Sequence, residues 1–232
     1  MVMAPAQPAQ ARSRDKRERI LRAAMRHFAE GGYEAARVED LARELGIAKG
    51  SVFQHFGTKE GLFLAAYRRA VEALPRYQDA PLEVRARGFF PTLRYWLERT
   101  EHLLREDIVS YRLTLIGNYG SDLALRREIN RYLAGEDAYG TMAFVQEGLD
   151  RGELRRDVEA ELVASVLEWN VERFQDALLA EELFPGFFRR RPKGPARLRR
   201  RIDEFLRVLE GAIGTSAPVR SKRPSPRRAR RG

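Results

Sequence analysis

The sequence contains no cysteine, and this absence excludes several kinds of site. Without thiols, the 232-residue chain can form no disulfide, no thiolate nucleophile and no metal site with sulfur ligands. Histidines are also scarce, because His27, His55 and His102 are the full set and lie far apart in the sequence. Scattered histidines without cysteines do not have the spacing of a zinc site. We therefore expect no metal centre.

Long apolar runs are absent as well. No run approaches the roughly 18 residues that a membrane-spanning helix requires. The first residues, MVMAPAQPAQARSR, lack the apolar central region of a secretory signal. Apolar residues make up 44% of the chain and charged residues 33%, which is typical of a globular protein with a sizeable core. These features predict a cytoplasmic protein that does not enter a membrane.

Motifs for catalysis and nucleotide binding are also missing. The sequence has no G-x-S-x-G elbow, no G-x-x-x-x-G-K phosphate loop and no G-x-G-x-x-G after a strand. We therefore predict no catalytic residue and no cofactor, and we do not expect an enzyme.

The positive charge is distributed unevenly along the chain. The net charge is +10, but residues 217–232 alone carry seven Lys and Arg and no acid. By contrast, residues 61–186 hold 16 basic and 22 acidic residues. Since a basic tail is often only a solubilising end, the high net charge is weak evidence for nucleic-acid binding. Residues 1–13 and 217–232 are predicted to be a disordered arm and a disordered basic tail.

Helical periodicity runs through the rest of the chain, and no segment alternates as a strand would. An all-α fold with two domains is predicted, covering residues 14–74 and 75–216. Asp15 and Glu18 have the spacing of a capping box, which predicts the start of the first helix, and Gly31-Gly32 predicts its end. The later helices are predicted at 82–104, with a kink at Pro91, and at 106–118, 122–149, 158–182 and 198–213.

The stretch VEDLARELGIAKGSVFQHFGTKE, at 38–60, holds two short helical segments that meet at Gly46. Glycine tolerates the positive φ that a sharp turn requires. Ala42 is small enough for a close helix crossing, and Val52 is placed to fill the gap, which is the packing of a helix-turn-helix. A plain αα-hairpin is the alternative interpretation of this spacing. The second segment leaves a short polar face, as a reader of base edges needs: Lys49, Ser51, Gln54 and His55.

The stretch and its flanks together resemble the N-terminal domain of the TetR (tetracycline-repressor-like) family of transcriptional regulators. The matching residues are Ile20, Ala23, Ala24, Phe28, Gly32, Tyr33, Val38, Leu41, Ala42, Gly46, Ile47, Lys49, Gly50, Val52, His55, Phe56, Lys59, Glu60 and Leu62. The resemblance implies a homodimer that binds a pseudo-palindromic operator, usually to repress transcription. A small ligand would release the homodimer from the operator. A heterodimer is the alternative assembly. It also implies a recognition helix at about 48–55.

By the same resemblance, seven residues are expected at the DNA: Lys49, Gly50, Ser51, Phe53, Gln54, His55 and Lys59. Arg37, which follows Ala36, could supply a further long-range phosphate contact. Gln54 can form a bidentate pair with adenine, whereas lysines and backbone N–H groups mainly contact phosphates. The chain departs from the family pattern in three places. Phe53 lacks the hydroxyl of the usual Tyr, and Ala36 and Ala48 stand where a Ser or Thr N-cap is common.

The second domain is expected to hold the effector and to form the dimer. Candidate pocket residues are Tyr95, Trp96, Tyr111, Tyr119, Glu168 and Trp169, for a hydrophobic or aromatic ligand. The alternative is that the aromatic residues are core and that Glu168 is an exposed carboxylate. The two last helices, with Phe174 and Phe205, are predicted to form a four-helix dimer seam; alternatively, they complete the subunit's own core.

A second function also fits the sequence. The chain could be an effector-independent architectural or nucleoid-associated DNA-binding protein, in which the basic ends matter more than the helix-turn-helix. Selective binding to particular sites, rather than uniform binding, would separate the two functions.

Overall fold

The computed structural model describes residues 8–74, 79–179 and 194–215. In these ranges the chain folds into eleven helices, and the β-structure is limited to one isolated bridge between Leu154 and Gly214. The all-α prediction is confirmed. The helices are α1 (Pro8–Ala35), α2 (Val38–Glu44), α3 (Lys49–Phe56), α4 (Lys59–Ala73), α5 (Leu82–Arg85), α6 (Phe89–Glu106), α7 (Ile108–Tyr119), α8 (Leu123–Glu136), α9 (Thr141–Asp150), α10 (Ala160–Leu179) and α11 (Pro195–Ile213).

Helix α1 begins earlier than the sequence predicts. It starts at Pro8, so residues 8–13 are helical rather than part of a disordered arm, and Asp15 does not cap the helix start. Proline is well tolerated in the first helical turn, and the Ala, Gln and Arg residues that follow favour helix. Gly32, at φ 76°, interrupts the helix where the sequence predicts its end. The predicted basic tail at 217–232 lies outside the described residues.

Two of the later predicted helices are divided. The predicted helix at 82–104 separates into α5 and α6 around Gly88, and Pro91 lies in the first turn of α6, where proline is tolerated. The predicted helix at 122–149 separates into α8 and α9. Asp137 adopts a left-handed conformation there, and its carboxylate accepts hydrogen bonds from the backbone N–H groups of Met142 and Ala143. The Asp137 side chain therefore caps the start of α9, and α8 does not continue into it.

The helices pack around two apolar clusters. The first is shared by α1 to α4 with α7 and α8, and the second by α6, α9, α10 and α11. Leu113 of α7 and Ile129 of α8, both placed in the second domain by the sequence, are therefore buried against the helix-turn-helix side of the molecule. This shared core connects the two predicted domains through α7 and α8.

Within the described ranges, no helix combines the length and the apolar character that crossing a membrane requires.

Candidate DNA-binding surface and effector site

Helices α2 and α3 have the geometry of a helix-turn-helix. Ala42 and Val52 are buried between them, and Gly46 has φ 65°, so the predicted turn and packing are confirmed. Neither helix has a side-chain N-cap: Ala48 precedes α3 as predicted, but the capping position of α2 is Arg37 rather than Ala36. Both helices consequently depend on burial of their apolar faces for stability.

The exposed face of α3 carries most of the predicted DNA contacts. Lys49, Gly50 and Gln54 are exposed, while Ser51 and His55 are half-buried. The Lys49 ammonium forms an ion pair with Glu39 of α2 and lies 5.4 Å from the centre of the Phe53 ring. The half-buried Phe53 ring packs against the first apolar cluster. Phe53 lacks the hydroxyl group of tyrosine, but its ring still lies next to the Lys49 ammonium.

Gly50 is a helical glycine that the protein itself does not require, as are Gly135 and Gly211. A Cβ atom built on Gly50 would meet no protein atom within 4 Å, and its φ is not in the left-handed region. Glycine in a helix costs about 0.5–1 kcal/mol relative to alanine. Neither packing nor backbone geometry inside the protein explains why glycine occupies this position. The open space at Gly50 is therefore available to a partner that approaches the backbone closely.

The two remaining predicted contacts lie beside α3. Arg37 is exposed at the start of α2. Lys59 begins α4, where its ammonium donates a hydrogen bond of 3.0 Å to the Glu34 carbonyl oxygen and lies 4.9 Å from the centre of the Tyr33 ring. Lys59 would have to leave these partners, or share them, to reach a phosphate.

Acidic residues on α2 also lie at this surface, and the sequence alone does not identify them. Besides Glu39, Glu44 accepts a hydrogen bond from Arg26 at 2.7 Å and lies 2.6 Å from the His27 ring nitrogen Nε2. The hydrogen bond with His27, followed by that from Arg26, lowers the pKa of Glu44. This network ties α1 to α2. The sequence carries no local signal for it, because the partners are 17 and 18 residues apart.

The six predicted effector residues do not converge on one pocket. Tyr95 lies under the Arg99 guanidinium on α6, and Trp96 packs against the second apolar cluster. Trp169 is 61% exposed on the outer face of α10, so it does not line a pocket with its neighbour Glu168. Tyr111, Tyr119 and Glu168 lie on the same side of the molecule, together with residues that the sequence analysis did not name.

That side is the inward face of α10, which presents Glu168, Glu172 and Asp176 at steps of four residues. Asp176 accepts hydrogen bonds from the Tyr111 hydroxyl, at 3.0 Å, and from the Tyr119 hydroxyl. Burial is the main cause that raises the pKa of each carboxyl group, and the pKa of Glu172 reaches about 7. The prediction that Glu168 is an exposed carboxylate is wrong, since the residue is half-buried.

Polar side chains connect Glu172 to α4. The Tyr67 hydroxyl donates a hydrogen bond to Asn118 Oδ1 at 3.4 Å, and the Tyr139 hydroxyl and the Glu172 carboxyl group lie close to this pair. Gly117 permits this arrangement, because a Cβ there would lie 2.4 Å from the Tyr67 ring. Through Tyr67, a helix that packs on α1 is thus linked to the carboxylates of α10. No group of His, Asp and Glu among the described residues could hold a metal ion.

Comparison with known proteins gives this arrangement a context. Residues 20–66 match the sequence profile described as "Bacterial regulatory proteins, tetR family". The chain is also 32% identical over 200 residues to the HTH-type transcriptional repressor AcnR of Corynebacterium glutamicum, a match that covers 86% of this chain and 93% of the relative. The chain belongs to the TetR family. It is therefore a DNA-binding transcriptional regulator.

Solved structures agree with the fold of this TetR-family protein. The regulator FadR of Bacillus subtilis, solved in complex with stearoyl-CoA, aligns with a TM-score of 0.61 at 19% identity, covering 83% of this chain and 96% of that one. FadR of Bacillus halodurans, a fatty acid degradation regulator, aligns at 0.59 and 18% identity, covering 84% and 97%. At such identities the likeness concerns the fold.

Proposed function

We propose that this TetR-family protein is a homodimeric repressor that binds a pseudo-palindromic operator through α3 and leaves it when a small ligand binds the C-terminal helices. The observation that carries the DNA-binding part is the exposed face of α3, where Gly50 leaves open space between the exposed side chains of Lys49 and Gln54. A bidentate Gln54 would read adenine, and the backbone near Gly50 would approach the DNA.

Selection of bound duplexes from random DNA tests this function. We expect a motif with two-fold symmetry whose half-sites are about 10 base pairs apart, since each half-site faces one recognition helix of a dimer. If the selected duplexes share no sequence motif, the proposal is rejected. That outcome would favour the effector-independent architectural protein, whose binding depends on phosphates alone.

The dimer is proposed to form through the outer faces of α10 and α11. Leu162 and Trp169 of α10 are 49% and 61% exposed, and Val208 of α11 is 75% exposed. These apolar side chains are costly to leave in water. Phe174, which is buried, stacks on the half-buried Phe205 with 4.0 Å between the ring centres, so we propose that these two predicted seam residues pack the subunit's own core instead.

The ligand is proposed to bind beside Tyr111, Tyr119 and Glu168, of the six residues that the sequence indicates. Because this region also holds buried carboxylates, a ligand that offers hydrogen-bond donors fits it better than the wholly apolar ligand expected from the aromatic residues. We further propose that the ligand acts on DNA binding through Tyr67, which connects this region to α4.

Tyr67→Phe tests this route, because it removes the hydroxyl and keeps the ring. We expect operator affinity without ligand to change less than twofold, and the ligand concentration needed for release to rise. Tyr95→Phe, on α6 and outside the Tyr67–Asn118 contact, is the matched control. Equal release curves for wild type and Tyr67→Phe would reject the route while leaving DNA binding in place.

A further inference from the structure

Residues 8–19 form the first three turns of α1. None of residues 10–19 is buried, and the first core residue of the helix is Ile20. The TetR family profile also begins to match at residue 20, so it does not include this helical extension. Helical segments this short are marginal in water on their own. The extension is therefore a feature of this chain that core packing does not explain.

The charges on the extension are mostly positive and mostly unpaired. Five basic residues stand against Asp15 and Glu18. One ion pair forms, between Arg17 and Glu18 at 3.9 Å. The other four basic residues form no ion pair with any residue that the structure describes: Arg12, Arg14, Lys16 and Arg19. A partner with negative charge could neutralise them without first breaking a contact inside the protein.

The position of the extension relates it to the DNA-binding surface. The Arg17 guanidinium lies 5.0 Å from the centre of the Phe56 ring, and Phe56 is the last residue of α3. The extension thus starts beside one end of the recognition helix, while Lys49 and Gly50 lie at the other end. At 1.5 Å per residue, twelve helical residues reach about 18 Å. That length corresponds to about ten phosphate charges on a duplex.

We propose that residues 8–19 form a second DNA-contact surface, which binds the phosphates that flank the half-site read by α3. This inference rests on the proposed function and adds the flanking contact to it. A membrane surface fits less well, because the extension contains no apolar residue larger than proline and has no apolar face to insert. The contact is independent of base sequence, since unpaired guanidinium and ammonium groups bind phosphates without reading bases.

The double variant Arg12→Gln with Arg14→Gln tests the proposal in the full chain. Both side chains are exposed, so folding should not change, which circular dichroism can check. The matched control is Arg112→Gln with Arg127→Gln, which removes the same charge from exposed positions on α7 and α8. Binding is measured by fluorescence anisotropy on two duplexes: the selected operator core alone, and the same core with ten random base pairs added on each side.

Wild type and the control should bind the flanked duplex more tightly than the core. The Arg12/Arg14 variant should lose roughly tenfold on the flanked duplex and less than twofold on the core, because its missing contacts lie outside the core. Its salt slope on the flanked duplex should fall by about 3 to 4 units for a dimer, at about 0.9 per phosphate contact.

Equal losses on both duplexes, or a loss that the control reproduces, would overturn the proposal. Failure to select any operator would reject the proposed function instead. In that case, the salt slopes of the two variants on random duplex would still decide whether residues 8–19 bind phosphates, with unchanged slopes counting against it.

Discussion

At the scale of single residues, the proposed roles of Gln54 and Lys59 separate base reading from phosphate binding. Gln54 is exposed, so Gln54→Ala should leave stability unchanged. It should weaken the best operator by about 1–3 kcal/mol and relax the preference at one position of each half-site. Lys59→Ala should weaken all sequences alike and lower the salt slope by about one. Affinities on the selected operator and its single-base variants measure both effects. An unchanged motif for Gln54→Ala would contradict its reading role.

Gly50 makes a second prediction at this scale. Gly50→Ala should stabilise the fold by about 0.5–1 kcal/mol, because glycine costs helix stability and the space around Gly50 is open. It should also weaken operator binding, since the new methyl group would occupy the space of the DNA backbone. Gly135→Ala on α8 is the control, with equally open surroundings. Urea unfolding and anisotropy measure the two effects; tight binding by Gly50→Ala would remove the argument for close approach.

Glu172 gives stability a distinctive pH dependence. Burial, then the charges of Glu168 and Asp176, raise the pKa of Glu172 to about 7 in the folded chain, above the value of about 4.3 expected when unfolded. The folded state therefore binds the proton more tightly, and this group lowers stability as pH rises from about 4.3 to 7. The loss is at most about 1.4 kcal/mol per pH unit.

Glu172→Gln should remove that dependence, because the amide does not ionise. The variant should gain stability relative to wild type between pH 5 and pH 8, as measured by urea unfolding at several pH values. Glu161→Gln, at an exposed position on the same helix, controls for the loss of charge. If the difference in the free energy of unfolding between Glu172→Gln and wild type stays constant from pH 5 to pH 8, Glu172 is already ionised at pH 5.

At the scale of helices, the sequence predicts what local signals determine. Gly46 requires a positive φ, and Ala42 and Val52 lie close to it in sequence, so the helix-turn-helix could be predicted fully. The start of α1 could not, because a capping box at Asp15 competes weakly with helix-forming residues upstream. The division of α8 from α9 depends on how the Asp137 side chain caps α9, which periodicity does not encode.

The proposed effector region could be predicted only in part, because its contacts also depend on the tertiary arrangement of the helices. Aromatic residues could be listed from the sequence, but the pairing of Tyr67 with Asn118 joins residues 51 positions apart. Glu168 and Trp169 are adjacent in sequence, yet Glu168 is half-buried and Trp169 is 61% exposed. Which of the two is buried depends on how far the neighbouring helices cover α10, and the sequence alone does not determine that coverage.

At the scale of the whole molecule, the outer faces of α10 and α11 lead to a prediction about assembly. Trp169→Glu with Val208→Glu should give a folded monomer, because both side chains are exposed in the subunit and charge would be buried in a dimer seam. The monomer should also lose the pairing of two half-sites. Light scattering measures the mass, with Leu123→Glu on α8, 65% exposed, as the control. A dimer of the double variant would place the interface elsewhere.

Helix α10 carries the buried carboxylates and also the exposed Trp169. If two copies meet through Trp169, the helix that borders each proposed ligand region also lies at the dimer seam. A displacement of α10 in one subunit would then reach the same helix of its partner directly. Occupying the first site would alter the affinity of the second, and the release of DNA would follow a sigmoidal rather than a hyperbolic dependence on ligand concentration. A gene under this control would switch over a narrow range of ligand.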